Sequence, residues 1–326
     1  MTIHREGVVL QGTGGVWQVR TDDGVQRDAS LRGRLKQELS GRDARETRNE
    51  GSRDFAKPLK LAVGDRVSVS GEENGNAWTI DDIQPRRSKL ARKRPGNAKG
   101  ERIIVANLDQ VLVVFAAANP EPHPRMLDRF LVIAEANDLA ARVIINKIDL
   151  ANESAVRQRF AEFTAAGYPL HLTSVKQHKG LDELRAQIAG RGSALTGPSG
   201  VGKSSLMNTL FPGLNLRIAE ISESVNKGRH TTVGALLHPL PGGGFIADTP
   251  GLREVGLWGI DKSEIAPCFP EFRPLLDGCR FADCTHVVEP NCAIRDAVAA
   301  GTVSRGRYES YVKLREELAV ASADVW

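Results

Sequence analysis

The 326-residue sequence has few cysteines, few aromatic residues and no long apolar run. Its four cysteines are too few for a disulfide scaffold in a chain of this length. No stretch approaches the roughly 18 consecutive apolar residues that a membrane-spanning helix needs. The first residues, Met-Thr-Ile-His-Arg-Glu, lack the apolar segment of a secretion signal. These absences predict a cytoplasmic protein that does not associate with membranes.

The chain is long enough for two or three domains, because a single core rarely incorporates so many residues. Hydrophobic residues make up 41% of it, which is enough to form buried cores. The formal net charge of +4 is mildly basic. Such a charge is compatible with a polyanionic partner but does not establish one.

The most informative stretch fits the phosphate-loop pattern G-x-x-x-x-G-K-[S/T] and lies between an apolar strand pattern and a helix pattern. Its glycines let successive N–H groups converge on an anion, and the helix start adds its positive dipole end. A glycine-rich turn without a ligand is the alternative. In the functional interpretation, Lys203 contacts the β- and γ-phosphates and the Ser204 hydroxyl binds Mg²⁺. The predicted contacts are Gly197, Pro198, Ser199, Gly200, Val201, Gly202, Lys203, Ser204 and Ser205.

A second motif, Asn146-Lys147-Ile148-Asp149, follows the apolar strand pattern 143–145. In an N-K-x-D turn, the Asp149 carboxylate would accept hydrogen bonds from guanine N1–H and its exocyclic amine. Asn146 would bond N7 and O6, and the Lys147 stem would pack over the ring. Adenine presents a lone pair at N1, which a buried carboxylate repels, so the motif favours guanine. Ser174 ends the next strand pattern, where a backbone N–H is a weaker candidate for contact with guanine O6.

A third motif, Asp248-Thr249-Pro250-Gly251, ends the strand pattern 245–247. Asp248 would hold the Mg²⁺ shell, and the Gly251 N–H would sense the γ-phosphate. A plain strand-end turn is the alternative. Upstream, the stretch 227–232 has no strong structural pattern, which suits a segment that becomes ordered with GTP. Either Thr231 or Thr232 is expected to bind Mg²⁺ there.

The order of these motifs differs from that of ordinary GTPases, because the base-reading motif precedes the phosphate loop. Site loops that share one edge of a sheet tolerate such rearrangement, so the chain is predicted to be circularly permuted. Leu252 follows D-T-P-G, where Ras-like proteins have the glutamine that orients water. We therefore expect slow intrinsic hydrolysis. His230, or a group from a partner, is the candidate for orienting the water.

Strand and helix patterns divide the chain into regions. Five short strand patterns predict an N-terminal β-barrel, for which an OB-type fold is favoured over an SH3-like or other barrel. From residue 103, strands alternate with helices, which predicts an α/β, doubly wound sheet of parallel strands. The predicted domains are 1–85 for the barrel, 86–102 for a basic linker, 103–258 for the nucleotide domain and 259–326 for a metal-binding helical domain.

Two polar stretches have no apolar period. Residues 33–57 are predicted to form a mobile loop, whose arginines either bind RNA or are simply solvated. The linker has one acid, Glu101, among eight cations, and its prolines and glycines exclude a helix. It is predicted to be flexible and to contact phosphates, with a soluble hinge as the alternative. The cations are Arg86, Arg87, Lys89, Arg92, Lys93, Arg94, Lys99 and Arg102.

A cysteine cluster lies near the C-terminus. The spacing Cys279-x4-Cys284-x-His286-x5-Cys292 offers three thiolates and an imidazole, a set suited to a closed tetrahedral structural Zn²⁺ site. Buried structural cysteines beside an unrelated histidine are the alternative. Cys268 is interpreted as an inert buried thiol. Helices are predicted at 293–299 and 305–318, with basic side chains free for a polyanion: Arg295, Arg305, Arg307, Lys313 and Arg315.

The permuted motifs, the barrel and the cysteine cluster together resemble the small-ribosomal-subunit-dependent GTPase family RsgA (also YjeQ or YloQ) over nearly the whole chain. The resemblance implies a GTPase that acts in late maturation of the small ribosomal subunit. The chain is expected to be a monomer that uses Mg²⁺ with GTP. The resemblance also implies stimulation by the ribosomal particle and contact with rRNA through the OB and zinc domains. Two features depart from the family: the loop at 33–57 is long, and Val233 stands where a third threonine is often found.

Two alternatives stay open. One is a permuted GTPase of large-subunit assembly, against which the barrel and the cysteine cluster argue. The other is an RNA-binding scaffold with a nucleotide that is not turned over.

Since the D-x-x-G segment runs on into the metal-binding domain, loss of the γ-phosphate is also expected to reorient that domain and release the subunit.

Overall fold

A computed structural model of the chain describes residues 2–35, 60–72, 75, 77–93, 101–216, 235–248 and 260–323. These residues form a barrel, a two-stranded sheet, a six-stranded sheet with helices on both faces, and a helical C-terminal region.

Five strands close the N-terminal barrel in the order β1-β2-β3-β5-β4. The long β1 closes it by pairing with both β2 and β4, and β3 runs parallel to β5. Alternate apolar side chains fill the interior, including Val67, Val69 and Ile80. A closed five-stranded barrel with this order confirms the predicted OB-type fold. The strands are β1 (Thr2–Thr13), β2 (Val16–Thr21), β3 (Gln26–Leu31), β4 (Arg66–Glu72) and β5 (Trp78–Ile83).

The predicted mobile loop at 33–57 falls almost wholly outside the described residues. Only its first three residues are described, and Leu35 among them is buried in the core of the barrel.

Part of the predicted basic linker is a strand. The segment β6 (Lys89–Lys93) pairs antiparallel with β7 (Glu101–Ala106) in the two-stranded sheet. Arg86 is fully buried and donates two hydrogen bonds to Asp65, Nε to Oδ1 at 2.6 Å and Nη2 to Oδ2 at 2.7 Å. The prediction of a flexible linker was wrong for these residues. Prolines and glycines excluded a helix but not a hairpin, and a buried ion pair removes the Arg86 charge from reach of any phosphate.

The six-stranded sheet has the order β10-β9-β8-β11-β13-β12. Its strands are parallel except for β12, which runs antiparallel to β13. The expectation of parallel strands throughout was therefore wrong for this edge. The connection 240–244 is a tight turn and is too short for the crossover that a parallel pair needs. The strands are β8 (Gln110–Ala116), β9 (Ala140–Asn146), β10 (Leu170–Leu172), β11 (Gly192–Thr196), β12 (Leu236–Pro239) and β13 (Phe245–Asp248).

Helices cover both faces of this sheet, as a doubly wound α/β fold requires. Along β8, Val113 and Phe115 pack with the first three helices, whereas Leu112 and Val114 pack with the next two. The first group is α1 (Pro124–Ala136), α2 (Glu153–Arg159) and α3 (Ala161–Ala165). The second group is α4 (Leu181–Ile188) and α5 (Lys203–Leu210).

The C-terminal region has an apolar core of its own, built around Phe269, Phe272 and Tyr311. Proline-containing 3-10 helices, Ala266–Cys268 and Pro270–Gly278, precede two α-helices. These are α6 (Ala293–Ala299) and α7 (Arg305–Ala323), close to the predicted bounds. Among the helices that the structure describes, none has the length and apolar character needed to cross a bilayer.

Candidate functional site

The predicted phosphate loop joins the carboxyl end of β11 to the first residue of α5, in the middle of the sheet. Its glycines have backbone conformations that other residues rarely adopt, with φ of +130° at Gly197 and +90° at Gly202. A Cβ at Gly197 would lie 2.0 Å from the carbonyl oxygen of Val114. Only glycine therefore lets the loop pass so closely over β8.

Lys203 begins α5 and curls back over the loop. Its Nζ donates to the carbonyl oxygens of Gly197 at 2.8 Å and Pro198 at 2.5 Å, and the side chain is buried. The ammonium is therefore held against the loop that would surround a phosphate, as a P-loop lysine must be.

The Ser204 hydroxyl is buried and has no hydrogen-bond partner among the described residues. An unsatisfied buried polar atom destabilises the folded state by roughly 1–3 kcal/mol, so binding of a ligand to this hydroxyl is favoured. Asp248 ends β13, the strand next to β11, and pairs in register with Leu195. Since these strands are parallel, both oxygen donors reach the same edge of the sheet. A hydroxyl and a carboxylate are ligands that suit Mg²⁺, so the residues fit the ion.

The N-K-x-D turn directly contacts the phosphate loop. Asn146 is the last residue of β9, and its Nδ2 donates to the Val201 carbonyl oxygen at 3.0 Å. The Nζ of Lys147 donates to the Gly200 carbonyl oxygen at 2.7 Å and also to that of Asn119. Segments that are more than fifty residues apart along the chain therefore meet in one place.

Asp149 is oriented by Ser174. The Ser174 Oγ donates to Asp149 Oδ1 at 2.5 Å and accepts from the Gln177 N–H at 3.1 Å. The backbone N–H of Ser174 donates to the Lys179 carbonyl oxygen at 3.0 Å, so it is not available to a base. The strand-end pattern predicted a backbone contact from this segment and did not indicate the role of the Ser174 hydroxyl. The only sequence signal for that role is a serine at the end of a strand beside the motif.

The predicted switch residues lie outside the described residues. This applies to His230, Thr231, Thr232 and Gly251, and to Leu252. Their proposed roles in binding Mg²⁺, sensing the γ-phosphate and orienting water stay predictions.

The cysteine cluster comes together in the C-terminal region. One potential ligand atom from each of Cys279, Cys284, His286 and Cys292 lies within 4.8 Å of the others. The His286 Nδ1 lies 3.4 Å from the Cys279 Sγ and 3.5 Å from the Cys292 Sγ, and those two sulfurs are 3.9 Å apart.

The three distances among Cys279, His286 and Cys292 are close to those around a tetrahedral zinc ion. With Zn–S of about 2.3 Å and Zn–N of about 2.0 Å, ligand atoms are expected about 3.5–3.8 Å apart. Tyrosines of α7 fix the loop that carries the histidine: the Tyr308 hydroxyl donates to the His286 carbonyl oxygen at 2.8 Å. Cys268 is not part of the cluster. Its Sγ donates to the Glu264 carbonyl oxygen at 3.3 Å, and burial raises the pKa of its thiol to about 12, so it stays protonated.

One of the predicted free cations is buried. Arg305 and Lys313 are exposed, but Arg307 is only 1% exposed and its guanidinium donates to Asp128 and Glu271. The expectation that Arg307 is free for a polyanion was wrong, because its partners lie far away in sequence and could not be recognised from it.

The charges around this arginine are unequal, since one guanidinium faces two carboxylates. Burial, together with the smaller effect of nearby Glu162, outweighs the opposing effect of Arg307 and raises the pKa of the Asp128 carboxyl to about 6. Burial disfavours the charged form of Arg307, yet the hydrogen bond to Glu271 and the charge of Asp128 leave its pKa above the ordinary value. Arg307 is therefore charged at neutral pH.

A base-reading turn that precedes the phosphate loop in the chain, yet contacts it in space, defines a circularly permuted P-loop GTPase. The sequence profile of the family described as RsgA GTPase matches residues 83–258. A protein of Gemmatimonas aurantiaca named "Small ribosomal subunit biogenesis GTPase RsgA" is 64% identical over 98% of this chain and 99% of its own length. A protein of the same name from Bacteroides fragilis is 36% identical over 96% of each chain. The chain belongs to the RsgA GTPase family.

Solved structures agree with this assignment. YjeQ from Thermotoga maritima superposes with a TM-score of 0.77 at 33% identity, covering 97% of this chain and 99% of that one. YloQ, described as a circularly permuted GTPase, superposes with a TM-score of 0.71 at 25% identity, covering 97% and 96%.

Proposed function

We propose that this GTPase hydrolyses GTP to GDP and phosphate in late maturation of the small ribosomal subunit, as a cytoplasmic monomer that the subunit stimulates. The direct contact of Asn146 and Lys147 with the phosphate loop carries the nucleotide part of the proposal, because it joins a base site to a phosphate site. The printed names of full-length relatives support the ribosomal part.

Guanine nucleotide binds, in this proposal, with its base against Asp149 and its phosphates in the loop 197–202. The Ser174 hydroxyl holds the Asp149 carboxylate towards the guanine N1–H and amine. Lys203 neutralises the β- and γ-phosphates, and Ser205 completes the contacts at the start of α5. Ser204, Asp248 and either Thr231 or Thr232 would hold Mg²⁺, which would supply charge neutralisation at the terminal phosphates.

The water-orienting group is His230 or a residue of the subunit. A leucine follows D-T-P-G, so the position that carries the catalytic glutamine in Ras-like enzymes has no polar side chain. Hydrolysis by the chain alone is therefore slow. If a His230→Ala variant keeps full turnover in the presence of the subunit, a residue of the subunit orients the water.

The barrel and the C-terminal region contact rRNA in this proposal. The OB-type topology is one that presents a binding face to oligonucleotides. The Cys₃His set would hold one structural Zn²⁺ and so stabilise the loop that Tyr308 of α7 contacts. The exposed cations Arg305 and Lys313 lie on the same helix. RNA affinity should then fall steeply with salt.

Phosphate release from GTP, measured with and without purified small subunits, tests the function. We expect slow release alone and strong stimulation by small subunits but not by large ones. Asp149→Asn should weaken GTP binding while leaving the fold intact. The asparagine amide cannot accept hydrogen bonds from both the guanine N1–H and the exocyclic amine. Stimulation by large subunits would indicate large-subunit assembly. Nucleotide that stays bound and unhydrolysed with either subunit would indicate a scaffold.

Nucleotide state also controls release of the subunit in this proposal, through the segment that runs from the D-x-x-G motif into the C-terminal region. A nucleotide biases only states that it binds differently. Subunit affinity measured with a non-hydrolysable GTP analogue should therefore exceed that measured with GDP. Equal affinities would refute the release mechanism and leave the hydrolytic function standing.

A further inference from the structure

The C-terminal region is docked along one side of helix α1. Val132 of this helix belongs to the apolar core of the C-terminal region. Polar contacts flank it on both sides, because Arg129 pairs with Glu317 and Glu135 accepts from the Arg273 Nη2 at 2.6 Å. The position of α1 therefore depends on the C-terminal region as well as on the sheet, against which Phe130 packs.

Arg307 lies at the centre of this contact. Its Nε donates to Glu271 Oε1 at 2.7 Å within the C-terminal region, and its Nη1 donates to Asp128 on α1. The guanidinium carbon also lies 5.3 Å from the ring centre of Phe163 and 4.7 Å from that of Phe269. A planar donor fork between two carboxylates cannot be replaced by a point charge without loss of contacts.

The other end of α1 leads to the base-reading turn. Residues 119–123 run directly into α1, and the Asn119 carbonyl oxygen accepts from Lys147. The Pro122 carbonyl oxygen accepts from the Arg159 Nη2 at 3.0 Å, which ties this segment to α2. The Lys147 ammonium is therefore shared between the phosphate loop and the segment that begins α1.

We propose that Arg307 is a positioning residue for guanine nucleotide binding, because it fixes α1 and thereby the Asn119 carbonyl that holds Lys147 beside the phosphate loop. This proposal rests on the proposed nucleotide site. Lys147 bridges two carbonyls that belong to different parts of the chain, so a shift of α1 removes one of its two partners. The contact between the Lys147 ammonium and the Gly200 carbonyl oxygen of the phosphate loop is then no longer held in place.

The coupling is reciprocal by thermodynamic linkage. If docking at Arg307 favours the nucleotide-binding geometry, bound nucleotide must favour docking by the same factor. Amide exchange in α7 should therefore slow when GDP binds to the wild-type protein. Couplings of this kind usually change affinity by roughly 5- to 150-fold.

Arg307→Lys tests the proposal, since it keeps the charge but loses the fork. Arg305→Lys is the matched control for nucleotide binding, with the same change on an exposed residue of the same helix. Its proposed contact is with rRNA, which the GDP-binding assay does not contain. Zinc content and thermal unfolding establish that each variant is folded. We expect Arg307→Lys to weaken fluorescent GDP binding by about tenfold and to raise KM for GTP more than it lowers kcat. Arg305→Lys should leave the affinity unchanged.

Wild-type binding separates the two proposals. Failure of the wild-type protein to bind GDP would refute the nucleotide site itself. A folded Arg307→Lys variant with faster exchange in α7 and unchanged GDP affinity would overturn only the positioning role. Should that variant not fold, exchange in wild-type α7 decides: a rate that GDP leaves unchanged overturns the proposal.

Discussion

Alanine at Gly202 provides a sharp test of the phosphate loop. Gly202 has φ of +90°, and a Cβ there would lie 2.7 Å from the Asn146 Nδ2. That same Nδ2 donates to the Val201 carbonyl oxygen at 3.0 Å. The added methyl group therefore strains the backbone and displaces the side chain that joins the base-reading turn to the loop.

The backbone strain and the lost hydrogen bond can each be estimated, and their costs add. A left-handed conformation costs a residue with a Cβ about 1–2 kcal/mol, and a lost hydrogen bond costs about 1 kcal/mol. If the loop leaves its binding conformation to relieve both, Gly202→Ala weakens nucleotide binding by about 2–3 kcal/mol. This corresponds to a roughly 30- to 150-fold rise in Kd.

Isothermal titration with GDP and Mg²⁺ measures this effect directly. Gly167→Ala is the matched control, because Gly167 has φ of +96° and nothing lies within 4 Å of its added Cβ. It should lower the free energy of unfolding by about 1–2 kcal/mol through backbone strain alone and leave GDP affinity unchanged. Wild-type GDP affinity in Gly202→Ala, or an equal loss of affinity in both variants, would refute this role of Gly202.

Three further predictions follow from buried groups. Ser204→Ala removes a hydroxyl that has no partner in the described part of the chain, so it should leave apo stability unchanged or slightly raised. It should also abolish the Mg²⁺-dependent tightening of GTP binding. Thr196→Val removes a second buried hydroxyl without a partner among those residues and should leave that tightening intact. Cys292→Ser should lose bound zinc in elemental analysis, whereas Cys268→Ala should retain one ion per chain. Because the folded-state pKa of Asp128 is raised to about 6, the folded protein takes up this proton more readily than the unfolded chain, and stability rises as pH falls. Wild type should gain about 1 kcal/mol relative to Asp128→Asn between pH 7 and pH 5 in urea unfolding, and an equal pH dependence of the two would contradict the assignment.

The parts of this protein that could be predicted from its sequence are those encoded in short stretches. The phosphate loop and the N-K-x-D turn each combine residue types that their backbone geometry requires, as at Gly197. Apolar runs bounded by turns likewise revealed β8 and β9. Their convergence followed from a general rule, because the carboxyl ends of parallel strands share one edge.

What could not be predicted depends on partners that are distant along the chain. Arg86 and Arg307 were counted as surface charges, yet each is buried against carboxylates, Asp65 in one case and Asp128 in the other. Charge patterning cannot reveal such pairs, since it carries no information about which acid a basic residue meets. The basic strand β6 was missed for a related reason, because polar and charged residues dominate it and its partner strand β7 begins only at Glu101.

The apolar contact between the barrel and the sheet has a practical consequence. Leu10 and Val63 from the barrel belong to the same buried cluster as Leu108 and Leu237 of the α/β region. Cutting the polypeptide near residue 85 would expose this apolar contact surface on both fragments. Each fragment is therefore expected to aggregate in isolation. Calorimetry of the intact chain should accordingly give one endotherm for these two regions, with no separate melting of the barrel.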